Sequence, residues 1–185
     1  MNSQNIVWTS QEYNSRELCT IQKTGTGFQI ISHIAGIYQK QIFEADYALD
    51  LDPAWNIESG KIDYKFGGGN RQIIFQKESS GNWIIGDMKI SLFRDCATID
   101  ISLTPFTNTL AINVLDLDIG QSKQINVIYF DILEEKITLK SQKYTCLSAT
   151  SYKFENIPND FEAHIEVDHN GLVINYPGLF TRSPG

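Results

Sequence analysis

Apolar and polar residues alternate with a period of two along most of this chain, the pattern of strands with one buried face. Phe43, Ala45, Tyr47, Leu49 and Leu51 alternate with Glu44, Asp46, Ala48 and Asp50. Ile99, Ile101 and Leu103 alternate with Thr98, Asp100 and Ser102, and Phe161, Ala163, Ile165 and Val167 with Glu162, His164, Glu166 and Asp168. Shorter runs predict strands over 6–10, 18–23, 55–66, 71–77, 83–85, 136–148 and 152–155. Two segments, 28–38 and 123–133, are apolar on both faces, which predicts a strand covered twice or one lining a cavity. Turn signals separate these runs at Gly25 and Gly27, Gln39-Lys40, Asp52-Pro53, Gly67-Gly68-Gly69, Ser80-Gly81-Asn82 and Asn170-Gly171. Thr104-Pro105 stops the central strand, because Pro105 has no N–H for a ladder. The chain is then expected to turn through Thr107, Asn108 and Thr109 before apolar residues resume at Leu110. No helical period lasts three turns. The pattern therefore predicts an all-β, or mainly β, fold whose antiparallel sheet curls into a barrel or half-barrel, since closure removes exposed edges.

Length and charge narrow the function classes. A chain of 185 residues fits one domain, 1–185, with a core that needs no disulfide or metal. The net charge of −7, with 15 Lys and Arg against 22 Asp and Glu, argues against nucleic acid and against an anionic membrane surface. There is no basic, apolar leader and no stretch of eighteen apolar residues, which predicts a cytoplasmic protein without an integral membrane segment. Cys19, Cys96 and Cys146 are odd in number and widely spaced, so they are expected to be reduced core residues. Residues 1–5 and 183–185 are expected to be loose. Oligomeric state is not encoded in any pattern of this kind.

The candidate chemistry is sparse. Gly67-Gly68-Gly69 lacks a following Lys-Ser or Lys-Thr and precedes a strand, so it is a turn and no phosphate loop. His33, His164 and His169 show no metal-ligand spacing, and no metal or cofactor is expected. Asp95 and Asp100 flank the most regular strand, where two carboxyls could hold a ligand hydroxyl or serve as acid and base. The plainer reading puts Asp100 on the solvent face beside Thr98 and Ser102. Trp8, Trp55, Trp83, Tyr64, Tyr144, Tyr152 and Tyr176 could as a set line a pocket for an amphipathic ligand, while for any single one of them core packing is the better reading. The residues singled out for ligand binding are Trp55, Trp83, Asp95, Asp100, Asn108, Tyr144 and Tyr176.

The run from Asp95 through Thr104-Pro105-Phe106-Thr107-Asn108, followed by Gly120-x-Ser122, resembles a bacterial family of domains called putative glycolipid-binding. Tyr144 to Leu147 with Tyr152 to Glu155 is similar to a second segment of that family. Val167-Asp168, Gly171-Leu172-Val173 and Tyr176 to Arg182 are similar to its C-terminal signature. The chain departs from the pattern after the Thr-Asn pair, with Ala111, Asn113 and Val114 in place of a Pro and two basic residues. The resemblance implies a sheet curled around an apolar interior, similar to bacterial lipoprotein carriers, and a non-enzymatic role in binding an amphipathic small molecule, a glycolipid or lipid. Two alternatives stay open: a small enzyme using Asp95 or Asp100 as acid or base, and a protein-interaction module using an open edge strand.

Overall fold

The structure, a computed structural model, describes residues 3–183. Of the ends expected to be loose, Ser3 to Asn5 open the first strand, while Met1, Asn2, Pro184 and Gly185 lie outside the described residues. The chain forms two compact units, residues 1–95 with 183–185 and residues 96–182.

The first unit is an antiparallel meander in which each strand pairs with the next. Its strands are β1 (Ser3–Ser10), β2 (Ser15–Lys23), β3 (Phe28–Tyr38), β4 (Gln41–Leu51), β5 (Ile57–Phe66), β6 (Gly69–Lys77), β7 (Trp83–Ile85) and β8 (Met88–Ile90). The alternation read from β4 is realised residue by residue, with Phe43, Ala45, Tyr47, Leu49 and Leu51 all buried. β3 departs from expectation. Ile30 and Ile34 are buried, but Ile31 and Ile37 on the opposite face are 52% and 50% exposed, so β3 is neither covered twice nor a cavity wall there.

The second unit contains β9 (Cys96–Ile101), a helix α1 (Phe106–Leu115), β10 (Ser122–Asp131), β11 (Lys136–Ser148), β12 (Ser151–Ile157), β13 (Glu162–Val167), β14 (Val173–Tyr176) and β15 (Phe180–Arg182). β10 to β15 pair antiparallel in order, whereas β9 lies parallel to β10. A parallel pair needs a crossover, and α1 supplies it. Here the expected polar turn is corrected to a helix. Pro105 sits in the right-handed region at its N-terminus, where the missing N–H costs nothing, and Thr104 Oγ1 accepts from the Phe106 N–H at 3.0 Å. Of the ten helical residues only Asn113 and Val114 escape full burial. With polar Thr107, Asn108 and Thr109 buried beside its apolar residues, the helix shows no amphipathic period, which is why the pattern concealed it.

The fold is thus mainly β, with largely antiparallel pairing. In neither unit do the first and last strands of the run bond to one another among the described residues. Of the two forms expected, the closed barrel is excluded and the half-barrel kind of open sheet stands. The three cysteines are free and buried, as expected.

Close packing on the buried face of the first unit can be tested at Gly60 on β5. A Cβ there would lie 2.3 Å from the Phe75 ring and 2.8 Å from Leu49. Gly60→Ala should therefore destabilise the protein by roughly 1–3 kcal/mol, the usual cost of overpacking, measured as a lower urea midpoint with an unchanged slope.

Candidate functional site

The second unit gathers four of the seven residues singled out from sequence. Asp100 on β9 is not on a solvent face. Its Oδ1 accepts from Thr107 Oγ1 on α1 at 2.8 Å, and its Oδ2 from Gln142 Nε2 on β11 at 2.6 Å. Tyr144, two residues along the same face of β11, carries the network onward: its hydroxyl lies 3.0 Å from Asn108 Oδ1 and 3.3 Å from Gln142 Oε1. The Asn108 side chain therefore accepts from a tyrosine that is distant in sequence. Tyr144 packs edge-on against Phe154 at 5.3 Å between ring centres, and Phe154 in turn meets Tyr176 at 6.0 Å and Phe161 at 6.1 Å. A polar cluster of carboxylate, amides and hydroxyls thus abuts an aromatic one.

Burial sets the electrostatics. Desolvation raises the Asp100 pKa above the ordinary carboxylate value, and the bonds from Thr107 and Gln142 offset only part of that rise. The Tyr144 hydroxyl is pushed well up by burial first and by the Asp100 charge second, so it stays a neutral donor. Two hydroxyls complete the picture. Thr98 on β9 shares the Asp100 face by alternation, and Thr109 follows Asn108 on α1. Both side chains are buried, at 1% and 0% exposure, and neither Oγ1 has a hydrogen-bond partner.

Trp55, Trp83 and Asp95 belong to the first unit. Asp95 is exposed. Trp83 is wholly buried, 6.4 Å from Phe75, with Lys77 Nζ 5.1 Å from its ring centre, and is a core residue. Trp55 lies in the turn between β4 and β5 at φ 65°, a left-handed conformation that costs a bulky residue roughly 1–3 kcal/mol. Asp52 holds it there. Its Oδ1 accepts from the Ala54 and Asn56 N–H groups at 2.8 and 2.9 Å, and the Trp55 ring stacks on Phe28 at 4.6 Å.

Several residues of interest escaped the sequence reading. Gln142 carried a signal, since it alternates in phase with Tyr144 and Cys146. Thr107 was read as turn chemistry. Glu17 on β2 was missed entirely: it is 2% exposed, and its Oε1 accepts from Ser32 Oγ and Tyr47 Oη, both at 2.7 Å. Beside it Cys19 is inert, its thiol pKa raised by burial and then by the Glu17 charge. The C-terminal signature proves architectural. Asp168 Oδ1 accepts from the Asn170 and Leu172 N–H groups at 2.9 and 3.1 Å, while Oδ2 accepts from Arg182 Nη1 at 2.7 Å, which ties β15 to the β13–β14 turn. In that turn Gly171 takes positive φ, and Asn170 does not. An open groove of about 470 Å³ runs beside it, lined by Thr150, Ser151, Glu166, His169 and Ile174 among others.

No group of His, Cys, Asp or Glu among the described residues could hold a metal ion. Among the described residues no helix is long and apolar enough to cross a membrane.

The Asp100 environment makes a pH prediction. A carboxyl whose folded pKa is raised contributes stability that is complete below the ordinary carboxylate range and is lost as pH rises through the raised value. Wild type should therefore lose stability relative to Asp100→Asn across that interval and run parallel to it above. Urea denaturation of both proteins through the acid range measures this, and a constant difference throughout would mean Asp100 is solvated.

Comparison with known proteins agrees with this architecture. No curated protein matches the chain. A crystal structure of a DUF1089 family protein from Pseudomonas aeruginosa superposes with a TM-score of 0.83 at 31% identity, covering 92% of each chain. The family model described as "Putative glycolipid-binding" matches residues 5–182, across both units. The chain belongs to that family.

Proposed function

We propose that this protein binds an amphipathic small molecule, a glycolipid or lipid, at the buried face of the second unit. Asp100, Asn108, Gln142 and Tyr144 hold the polar head, and Phe154, Phe161 and Tyr176 receive the apolar part. The observation that carries this reading is the pair of buried hydroxyls without partners, Thr98 and Thr109. Each costs the fold roughly 1–3 kcal/mol where a valine of the same shape would cost nothing. Hydroxyls of a sugar, which both donate and accept, would satisfy them and restore that free energy on binding. The family description supports the same class of ligand, and its match across residues 5–182 supports treating 1–185 as one functional domain.

The acid–base reading of Asp95 and Asp100 has less behind it. Both oxygens of Asp100 are bonded to a hydroxyl and an amide, and neither group can exchange a proton with a carboxylate near neutral pH.

The test exploits opposite signs. Thr98→Val and Thr109→Val should each raise stability by about 1 kcal/mol and weaken binding of octyl β-glucoside, titrated below its micelle concentration, by roughly tenfold. Native mass spectrometry of wild type from bacterial expression should show lipid-sized adducts that the valine variants retain less. If the variants gain stability but bind the glucoside as wild type does, the two hydroxyls meet no ligand and the reading is wrong.

A further inference from the structure

We infer that the head group taken by the second unit is an uncharged, hydroxyl-bearing one, and that Asp100 is the residue that turns anionic head groups away. This deepens the interior reading above and rests on it. The groups left open to a ligand are all neutral. Thr98 and Thr109 supply two buried hydroxyls, each able to donate and to accept. Asn108 supplies a third group: its Oδ1 meets Tyr144, while its Nδ2 has no partner among the described residues. Turning that amide over would leave its oxygen open instead. The Gln142 amide, by contrast, is fixed. A carboxylate only accepts, so Gln142 presents Nε2 to Asp100 Oδ2 and its Oε1 to the Tyr144 hydroxyl. Asp100, with Thr107 donating to its other oxygen, carries the one formal charge of the cluster.

The surrounding elements offer that charge no counter-ion. Helix α1 has no charged residue, and on β12 and β13 the residues that share the face of Tyr144 are uncharged, Tyr152, Phe154, Ala163 and Ile165 among them. On β10 and β11 the register places Lys123, Asp131, Lys136 and Lys140 on the same side as Gln142 and Tyr144. All three lysines are exposed. Lys136 bonds Glu134 at 3.4 Å, the Lys140 ammonium lies 5.9 Å from the Tyr129 ring centre, and Lys123 stands near the start of β10. The remaining lysines and the arginine of the unit are paired elsewhere, Lys143 and Lys153 with Glu155 and Arg182 with Asp168. A lysine close to Asp100 would hold its carboxyl below the usual range; burial takes it up instead. Beyond α1, Asp116 adds a further negative charge acting on Tyr152. An anionic head group would therefore meet a half-buried carboxylate with nothing to offset the repulsion, whereas sugar hydroxyls can donate to the open oxygens and accept from the open amide.

The experiment compares amphiphiles that share one chain and one ring: octyl β-glucoside, octyl β-glucuronide, in which a carboxylate replaces the primary hydroxyl, and the uncharged octyl β-glucuronamide. Each is titrated by calorimetry at neutral pH, below its micelle concentration. Wild type should bind the glucoside and the glucuronamide alike, and the glucuronide at least about tenfold more weakly. Asp100→Asn should reduce that preference to about twofold. The preference should also persist in about 1 M salt, where the screening length is about 3 Å, because it comes from a half-buried neighbour and not from the net charge of −7. The salt measurement needs only wild type and decides the matter even if the variant fails to fold. Equal binding of glucoside and glucuronide by wild type overturns the inference and leaves the interior reading standing. A preference that salt abolishes, or that Asp100→Asn leaves intact, overturns it too. If wild type binds none of the three, the interior reading is wrong and this inference falls with it.

Discussion

The architecture of the second unit depends on a half-buried carboxylate held from two sides. Asp100 is reached by a hydroxyl from the crossover helix and by an amide from β11, so one side chain ties β9, α1 and β11 together. Neither partner is a cation. The carboxylate is therefore stabilised by dipoles alone, which only partly replace water, and its pKa rises. Removing either donor would leave a half-buried acceptor short of a partner. That asymmetry makes the contact costly to lose even though its net gain is modest.

Much of this was legible in the alternation. β4 and β13 read directly from their period of two, because the buried face of each is mostly apolar and the other mostly polar, whereas β9 shows the same period although both of its faces are covered. The cues for α1 were weaker. A ten-residue helix buried on almost all sides looks the same, at the level of polarity, as an apolar strand following a turn, and Thr-Pro-Phe-Thr-Asn is as good a helix entry as a turn. Asp100 was misplaced for a related reason. Polarity was used to infer exposure, yet its face is covered by α1, which the reading did not contain. Tyr144, Asn108 and Tyr176 were found through the family resemblance and aromatic chemistry; their meeting point is set by the register of β11 and by the helix, and neither can be read from spacing.

The open sheet raises the question of its edges. β8, the last strand of the first unit, is three residues long and carries Lys89, bonded to Glu78 at 2.7 Å. Short length and a central lysine are the means by which natural sheets discourage pairing with another chain. That weakens the reading of this protein as an interaction module built on that edge. At the other sheet end, β9 is protected differently: Thr107 Oγ1 accepts from the Ile101 N–H at 3.3 Å, so the helix caps backbone that would otherwise be open.

Glu17 shows a second use of a buried carboxylate. Along β2 the inward residues are Ser15, Glu17, Cys19 and Ile21, and the outward ones are Arg16, Leu18, Thr20 and Gln22, with Leu18 51% exposed. The two faces hardly differ in apolar content, so hydrophobicity alone would not distinguish this register from one slipped by a residue. The bonds to Glu17 do distinguish it. A slip would turn Glu17 outward and leave the hydroxyls of Ser32 and Tyr47 buried without it, while placing Leu18 inward would gain only part of one side chain's burial. Two lost charge-assisted hydrogen bonds, each worth roughly 1.5–3 kcal/mol, outweigh the half-burial of one leucine, about 1 kcal/mol. The polar residue that looks like a fault in the strand pattern is thus what selects the register of β2 against β3, and the same bonds explain why a glutamate is tolerated on the inward face.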